Sequence, residues 1–273
     1  MSITFSTLNK DAAIFKELVK GCGWWERFKN EKNLYIEIRK DNQVNVYFEG
    51  GSIARIHYCS RHRRLQVFTH YKYLGIPYSG KNYEECSSAI EAKFDSMLQL
   101  VRKYYSQKHS EHGITPKEKW SEKYIQANLI LNSKDVHLDS EFAYKDGKND
   151  IRIDMVNVIR GAVTFIELKR IGDGRMLKST DENPEVVNQM NSYSDFIKKY
   201  KDDILDYYQR LYDIKKYLGL PVPVTRPTSV NTTPQLLIFD RWIKVHTARE
   251  RHKKNMELIM KRENISYNII SEL

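Results

Sequence analysis

The sequence predicts an α/β protein in two parts: a C-terminal half with element order α-β-β-β-α-β, preceded by a small α+β domain built on an antiparallel sheet. Two observations carry that expectation. Residues 115–270 pass through helix-period and strand-period stretches in that order, and residues 34–73 contain four short alternating strands separated by polar turns. At 273 residues the chain can form one large or two ordinary domains, either able to bury a real core.

In chain order, Lys10 to Val19 reads as a helix. Strands follow at Leu34 to Ile38, Gln43 to Phe48, Ser52 to Tyr58 and Leu65 to Tyr73, with Asp41-Asn42 and Gly50-Gly51 as turn signals. A long amphipathic helix, Tyr83 to Gln107, closes this domain, which spans residues 1–112 and ends in the polar segment Lys108 to Thr115. Between Gly50 and Gly80 there is no Asp or Glu, whereas Arg55, Arg61, Arg63, Arg64 and Lys72 are interleaved with His57, His62, His70 and several tyrosines. Such a run suits backbone contacts to nucleic acid, although alternation along strands would scatter the side chains over two faces. With no acid nearby in sequence to neutralise them, a phosphate-contacting role is expected.

The second part, residues 113–273, opens with a helix over Thr115 to Asn132, for which Thr115 supplies an N-cap, Pro116 the first helical position and Glu118 the glutamate three after the cap. Trp120, Tyr124, Ala127, Leu129 and Leu131 are its expected buried face. A strand at Ser140 to Lys145 precedes two apolar, β-branched strands, Ile151 to Val158 and Ala162 to Lys169, joined by Ile159-Arg160-Gly161 as a hairpin signal. Then come a helix from about Asn183 to Tyr200, a helical continuation to Leu218, an extended linker marked by Pro221, Pro223 and Pro227, and the strand Gln235 to Asp240. A basic helix over Arg241 to Arg262 and an edge strand, Ile265 to Ile270, complete the chain.

Chemistry concentrates on the hairpin. Glu167 and Lys169 are two apart on one strand, so both leave the same face, while Ile166 and Leu168 enter the other. If Asp154 ends its pairing beside them on the preceding strand, two carboxylates and an ammonium converge, the donor set of a divalent-cation site. Four residues apart on the helix that follows, Gln189 and Tyr193 share one face.

Ile153-Asp154, followed by Glu167-Leu168-Lys169 and the Gln189/Tyr193 pair, resembles the signature of the PD-(D/E)XK nuclease superfamily, in particular its RecB-like members with a Q-x-x-x-Y motif. The literal Pro-Asp is absent, since Ile153 stands before the acid. The resemblance covers about residues 115–270. It implies a restriction-endonuclease-like core and metal-dependent hydrolysis of DNA phosphodiester bonds. Asp154 and Glu167 would hold Mg²⁺, with Mn²⁺ as a substitute, and the Leu168 carbonyl would complete the site. Lys169 would orient the attacking water, and Gln189 and Tyr193 would line the site. Glu122 lies in the first helix, where many members carry an accessory acid. Glu118, one turn earlier, reads as solvent-facing, and Glu141 is a further candidate. The loop Ile171 to Thr180 has two glycines, and Arg175 and Lys178 are expected to touch phosphates from it.

Composition agrees with a polyanionic partner: the formal net charge is +10 and the pI about 9.3. No apolar run of membrane-spanning length and no signal-peptide pattern is present, so a cytoplasmic protein without a membrane partner is expected. Cys22, Cys59 and Cys86 form no metal-ligand spacing with the eight histidines and read as reduced packing residues. Besides the nuclease, two readings stay open: a non-catalytic DNA-binding protein on a nuclease-like scaffold, and an interaction module of a larger assembly. The first domain is then a contact surface for DNA or a protein partner. A homodimer is one arrangement that would break both strands together.

Overall fold

The computed structural model describes residues 8–104, 109–110, 113–114, 120–146, 149–176, 182–241 and 247–273. It is a mixed α/β structure with eight α-helices among these residues and two principal sheets. No helix among them is long and apolar enough to cross a membrane.

The first sheet is antiparallel throughout, in the order β1 (Leu34–Arg39), β2 (Gln43–Phe48), β3 (Gly51–Cys59), β4 (Arg64–His70), β5 (Tyr83–Glu85). Helices α1 (Ala13–Val19), α2 (Gly23–Asn30) and α4 (Ile90–Tyr104) bury Phe15, Leu18, Trp25, Phe28, Phe94 and Met97 in one cluster with Ile38, Val44, Ile56 and Val67 of this sheet. The short α3 (Tyr71–Leu74) follows β4 and ends on Gly75 in the left-handed region, φ +66°.

Two sequence expectations need correction in this half, and one helix, α2, is added to them. Tyr83 to Glu85 are not the start of the long helix: they form a fifth strand paired with Phe68 to His70, because the open edge of β4 offers ladder hydrogen bonds that outweigh the helical preference of paired glutamates. The helix begins at Ile90, and its expected end, Tyr105 to Gln107, lies outside the described residues. Tyr71 to Tyr73 leave the strand for α3. α2 had no sequence signal, because Gly23 occupies its first position and Cys22, its N-cap, makes no side-chain cap bond.

β6 (His109–Ser110) and β7 (Gly113–Ile114) form a two-stranded ribbon ahead of the second sheet. That sheet runs β13 (Tyr267–Ile270), β12 (Gln235–Phe239), β10 (Ala162–Arg170), β9 (Asn149–Ile159), β8 (His137–Asp146), with β11 (Ser229–Val230) paired to the start of β10. β8, β9 and β10 are antiparallel neighbours, whereas β12 runs parallel to β10 and β13 parallel to β12. The parallel pairing requires a crossover, supplied by α6 (Glu185–Lys199) and α7 (Lys201–Tyr217). α8 (Thr247–Arg262) makes the next one; residues 242–246, within the span expected for it, lie outside the described set. The β9–β10 turn is Arg160-Gly161, with φ of +52° and +81°, the conformation of a tight hairpin. A Cβ on Gly161 would come within 2.7 Å of Thr228 Oγ1.

α5 (Glu122–Asn132) covers one face of this sheet, where Tyr124, Ile125 and Ala127 meet Met155, Ile166, Leu168 and Phe239. α6 and α7 cover the other, with Val187, Met190, Ile197 and Tyr208 against Ile153, Val163 and Phe165. β10 is therefore buried on both faces, which its nearly unbroken apolar run requires. The N-cap of α5 is Ser121, whose Oγ accepts from Tyr124 N at 3.2 Å; the expected cap, Thr115, lies with residues 116–119 outside the described set. Leu129 and Leu131 are half-buried, and Ile125, Gln126 and Ile130 take their place inside.

The two sheets are joined by buried charge. Glu37 on β1 accepts from Lys215 Nζ of α7 at 2.6 Å and lies 2.8 Å from His137 Nε2 at the start of β8. Lys215 also donates to the Leu138 carbonyl at 2.6 Å. Beside it, Arg39 pairs with Asp139 at 3.3 Å and donates to Tyr47 Oη at 2.9 Å. Burial pushes the Glu37 carboxyl up, but Lys215, His137 and Arg39 together hold it well below the usual carboxylate range. Cys86 is buried, Cys22 and Cys59 are half-buried, and all three are free thiols.

Candidate active site

The β9–β10 ladder sets the site. Paired register ends at Ile166 with Met155, one residue short of Asp154. Beyond it the Leu168 N–H has no strand partner from β9 and donates instead to Asp154 Oδ2 at 2.8 Å. That side-chain bond fixes the Asp154 carboxylate against β10. On the opposite side of the residue, the Asp154 carbonyl accepts from Gln126 Nε2 of α5 at 2.6 Å. Gln126 is buried, and its role was not read from sequence.

Glu167 and Lys169 continue the face of β10 that carries Val163 and Phe165 towards α6. They are 3% and 1% exposed. Lys169 Nζ donates to Glu167 Oε1 and, at 3.2 Å, to the Leu168 carbonyl. Gln189 Nε2 donates to the same Glu167 oxygen at 2.8 Å and to Tyr193 Oη at 2.6 Å, and Tyr193 Oη donates to the Arg152 carbonyl. Glu167 Oε1 thus receives two donors. Glu167 Oε2, buried, has no partner among the described residues, and neither does Gln189 Oε1.

Electrostatics follow from this crowding. Burial and the neighbouring Asp154 push the Glu167 carboxyl up to about 7, against the opposing pull of Lys169. Burial also raises Asp154, partly offset by the Leu168 N–H and Lys169. Two neighbouring carboxyls that both resist ionisation, Glu167 through burial and the charge of Asp154, and Asp154 chiefly through burial, make a site that a cation would relieve.

Glu122 stands to one side. Its Oε1 accepts from Arg170 N at 3.4 Å and its Oε2 lies 3.7 Å from Arg175, which is bound more closely, at 2.7 Å, by Asp173. Burial raises Glu122, and Lys169 pulls it back. Arg175 is therefore held over the edge of the site by two acids, and Lys178 lies outside the described residues. Glu141 is exposed on β8, with φ +54°, between residues paired to Ile153 and Met155.

As for the donor set, Asp154, Glu167 and the Leu168 carbonyl offer hard oxygen donors, and Glu167 Oε2 has no hydrogen-bond partner among the described residues that would compete with a cation. Among the described residues no group of three His, Cys, Asp or Glu is arranged to hold a metal. Mg²⁺ is commonly held by one or two carboxylates and keeps several waters, so the residues present fit that ion.

The basic residues of the first sheet divide. Arg61 and Arg63 are exposed in the turn between β3 and β4. Arg64, also exposed, pairs with Glu85 at 3.3 Å, an acid distant in sequence but adjacent through β5, so the expectation that no acid neutralises this run fails for it. Arg55 and Lys72 instead line a cavity on the side of the sheet that faces α5.

Comparison of the chain with family models, with curated proteins and with solved structures gave no match.

Proposed function

We propose that the chain is a metal-dependent nuclease of the PD-(D/E)XK kind, hydrolysing phosphodiester bonds in DNA. One observation carries the reading: Glu167 and Lys169 are almost wholly buried side by side next to Asp154, with a Glu167 oxygen left unpartnered. Burying charges costs several kcal/mol per ion in a folded protein, so a cluster of this kind with raised carboxyls marks a functional site more often than a stabilising one. Further support comes from the order of elements. An α-helix, three antiparallel strands, a helical crossover and a parallel strand follow one another in the order that the sequence resemblance implies, which supports the reading.

In this reading Asp154, Glu167 and the Leu168 carbonyl hold the metal. Mg²⁺, or Mn²⁺ in its place, supplies Lewis acidity that neutralises charge developing at the phosphate. Lys169, kept by Glu167 and the Leu168 carbonyl, orients the attacking water and stabilises the developing anion. Gln189 and Tyr193 fix the Glu167 carboxylate, and Gln126 fixes the backbone at Asp154. Glu122 acts through Arg175 and the Arg170 backbone, at the edge of the metal ligands. Such an enzyme would work on DNA in the cytoplasm, and breaking both strands together would take two copies.

The test is cleavage of linear and circular DNA, single and double stranded, with Mg²⁺, Mn²⁺ or EDTA, with Asp154→Ala alongside. Metal-dependent cutting that disappears in the variant is expected. DNA binding without cutting under every metal condition would replace the nuclease with the non-catalytic DNA-binding reading.

A further inference from the structure

A cavity of about 500 Å³ lies between the first sheet and α5, and nothing in the proposed metal site accounts for it. That volume is within the range of sites that enclose small-molecule ligands, roughly 300–1,000 Å³. Its walls are aromatic. Tyr35 and Tyr47 stack at 5.0 Å, with an interplanar angle of 8°, and Tyr83 carries the Arg55 guanidinium 3.8 Å from its ring centre. Its charge is cationic, from Arg55, Lys72 and Lys123, with Glu141 as the one carboxylate among the lining residues.

Two lining atoms have unmet hydrogen-bonding capacity: Arg55 Nε and Ser52 Oγ are buried without a partner among the described residues. Leaving a buried donor unpaired is unfavourable, and an arriving acceptor removes that cost. The cavity also adjoins the metal site. Glu141, on its wall, sits on β8 between the residues paired with Ile153 and Met155, directly across from Asp154, and Lys123 follows Glu122 on α5.

We propose that this cavity binds one unstacked nucleotide, its base against the tyrosine rings and its phosphate on Arg55, Lys72 and Lys123. Planar aromatic walls suit a nucleobase, which stacks on such rings whatever its identity, and the cations suit the attached phosphate. A base inside a duplex cannot enter, so the ligand is a base taken out of the stack or a free nucleotide. Resting on the nuclease reading, the further consequence is that a captured base presents a neighbouring phosphodiester to Asp154 and Glu167.

Binding and cutting separate these claims. Affinity is measured in EDTA by fluorescence anisotropy with labelled single strands, the matched duplex and a single strand carrying an abasic site, and by direct titration with deoxyadenosine monophosphate. Arg55→Gln, Lys72→Ala and the cavity-filling Ser52→Phe are compared with the parent, each checked for an unchanged melting temperature. Expected are tighter binding of single strand than duplex, a loss of about tenfold at an abasic site, and a similar loss in the variants. Saturable monophosphate binding lost in Arg55→Gln, with oligonucleotides bound equally with or without the abasic site, would identify a free nucleotide as the source. Parent-like affinity for every probe in folded Arg55→Gln and Lys72→Ala overturns the proposal even if Ser52→Phe does not fold. If the parent cuts DNA and these variants bind and cut like it, the cavity reading falls and the nuclease stands. If the variants lose binding while the parent is inert with every metal, the nuclease reading falls and the cavity stands.

Discussion

Gln189 Nε2 lies 2.8 Å from Glu167 Oε1 and 2.6 Å from Tyr193 Oη, so a helix on one side of the sheet dictates where a strand carboxylate points. Side chains that hold metal ligands from behind are usually worth about 10–100-fold in metal affinity or activity. Gln189→Ala is expected to lose that much, read as a rise in the Mg²⁺ concentration needed for half-maximal cleavage. Tyr193→Phe removes one donor to the Arg152 carbonyl and should be milder. A pure fall in melting temperature, with unaltered metal dependence, would make the pair a packing feature.

Lys169→Met tests the division of labour. It removes the cation but leaves Gln189 on Glu167 and both carboxylates in place. Turnover should vanish while Mg²⁺ still raises the melting temperature, as any ligand of the native state does. Glu167→Ala should lose both responses.

Lys215→Met probes the joint between the sheets. It strands the buried Glu37 carboxylate with His137 and no full cation at bonding distance. Breaking one side of a buried pair costs about 3–5 kcal/mol, whereas apolar replacement of both sides is often neutral. Urea unfolding should show that loss for Lys215→Met and recovery of most of it in Glu37→Leu/Lys215→Met.

Asp139 gives a pH signature. Burial, and then the charge of Glu37, push its carboxyl up to about 7. A folded-state pKa raised above the unfolded value of 3.8 favours the native state fully below that value and withdraws the advantage as pH rises through about 7. Asp139→Asn should therefore gain in melting temperature relative to the parent between pH 4 and 8. A constant difference across that range would remove the assignment.

Arg61 and Arg63 at the β3–β4 turn are exposed, and their proposed role is electrostatic. Arg61→Ala/Arg63→Ala should lower affinity for all DNA sequences alike and reduce the salt slope by about one for each phosphate no longer neutralised. Arg64→Ala should change stability by less than about 1 kcal/mol, since its pair with Glu85 is exposed.

What could be read from the chain is what local spacing controls. Glu167 and Lys169 share a face because strands have a period of two, Gln189 and Tyr193 because helices return after four, and Arg160-Gly161 fixes the hairpin that brings Asp154 to them. Gln126 escaped because a lone amide in an apolar helix looks like the edge of a core stripe, and its bond to the Asp154 carbonyl exists only after α5 docks. Glu37 and Lys215 are 178 residues apart, and no periodicity announces their pairing. Tyr83 to Glu85 misled for the same reason: their strand conformation is imposed by β4 and not by their own preference.

The Glu37–Lys215–His137 cluster has a consequence for how such a protein can diversify. Modules that change partners by recombination meet across surfaces that tolerate a stranger, whereas here an exchanged first sheet would have to bring a carboxylate to the place where Lys215 and His137 wait for it.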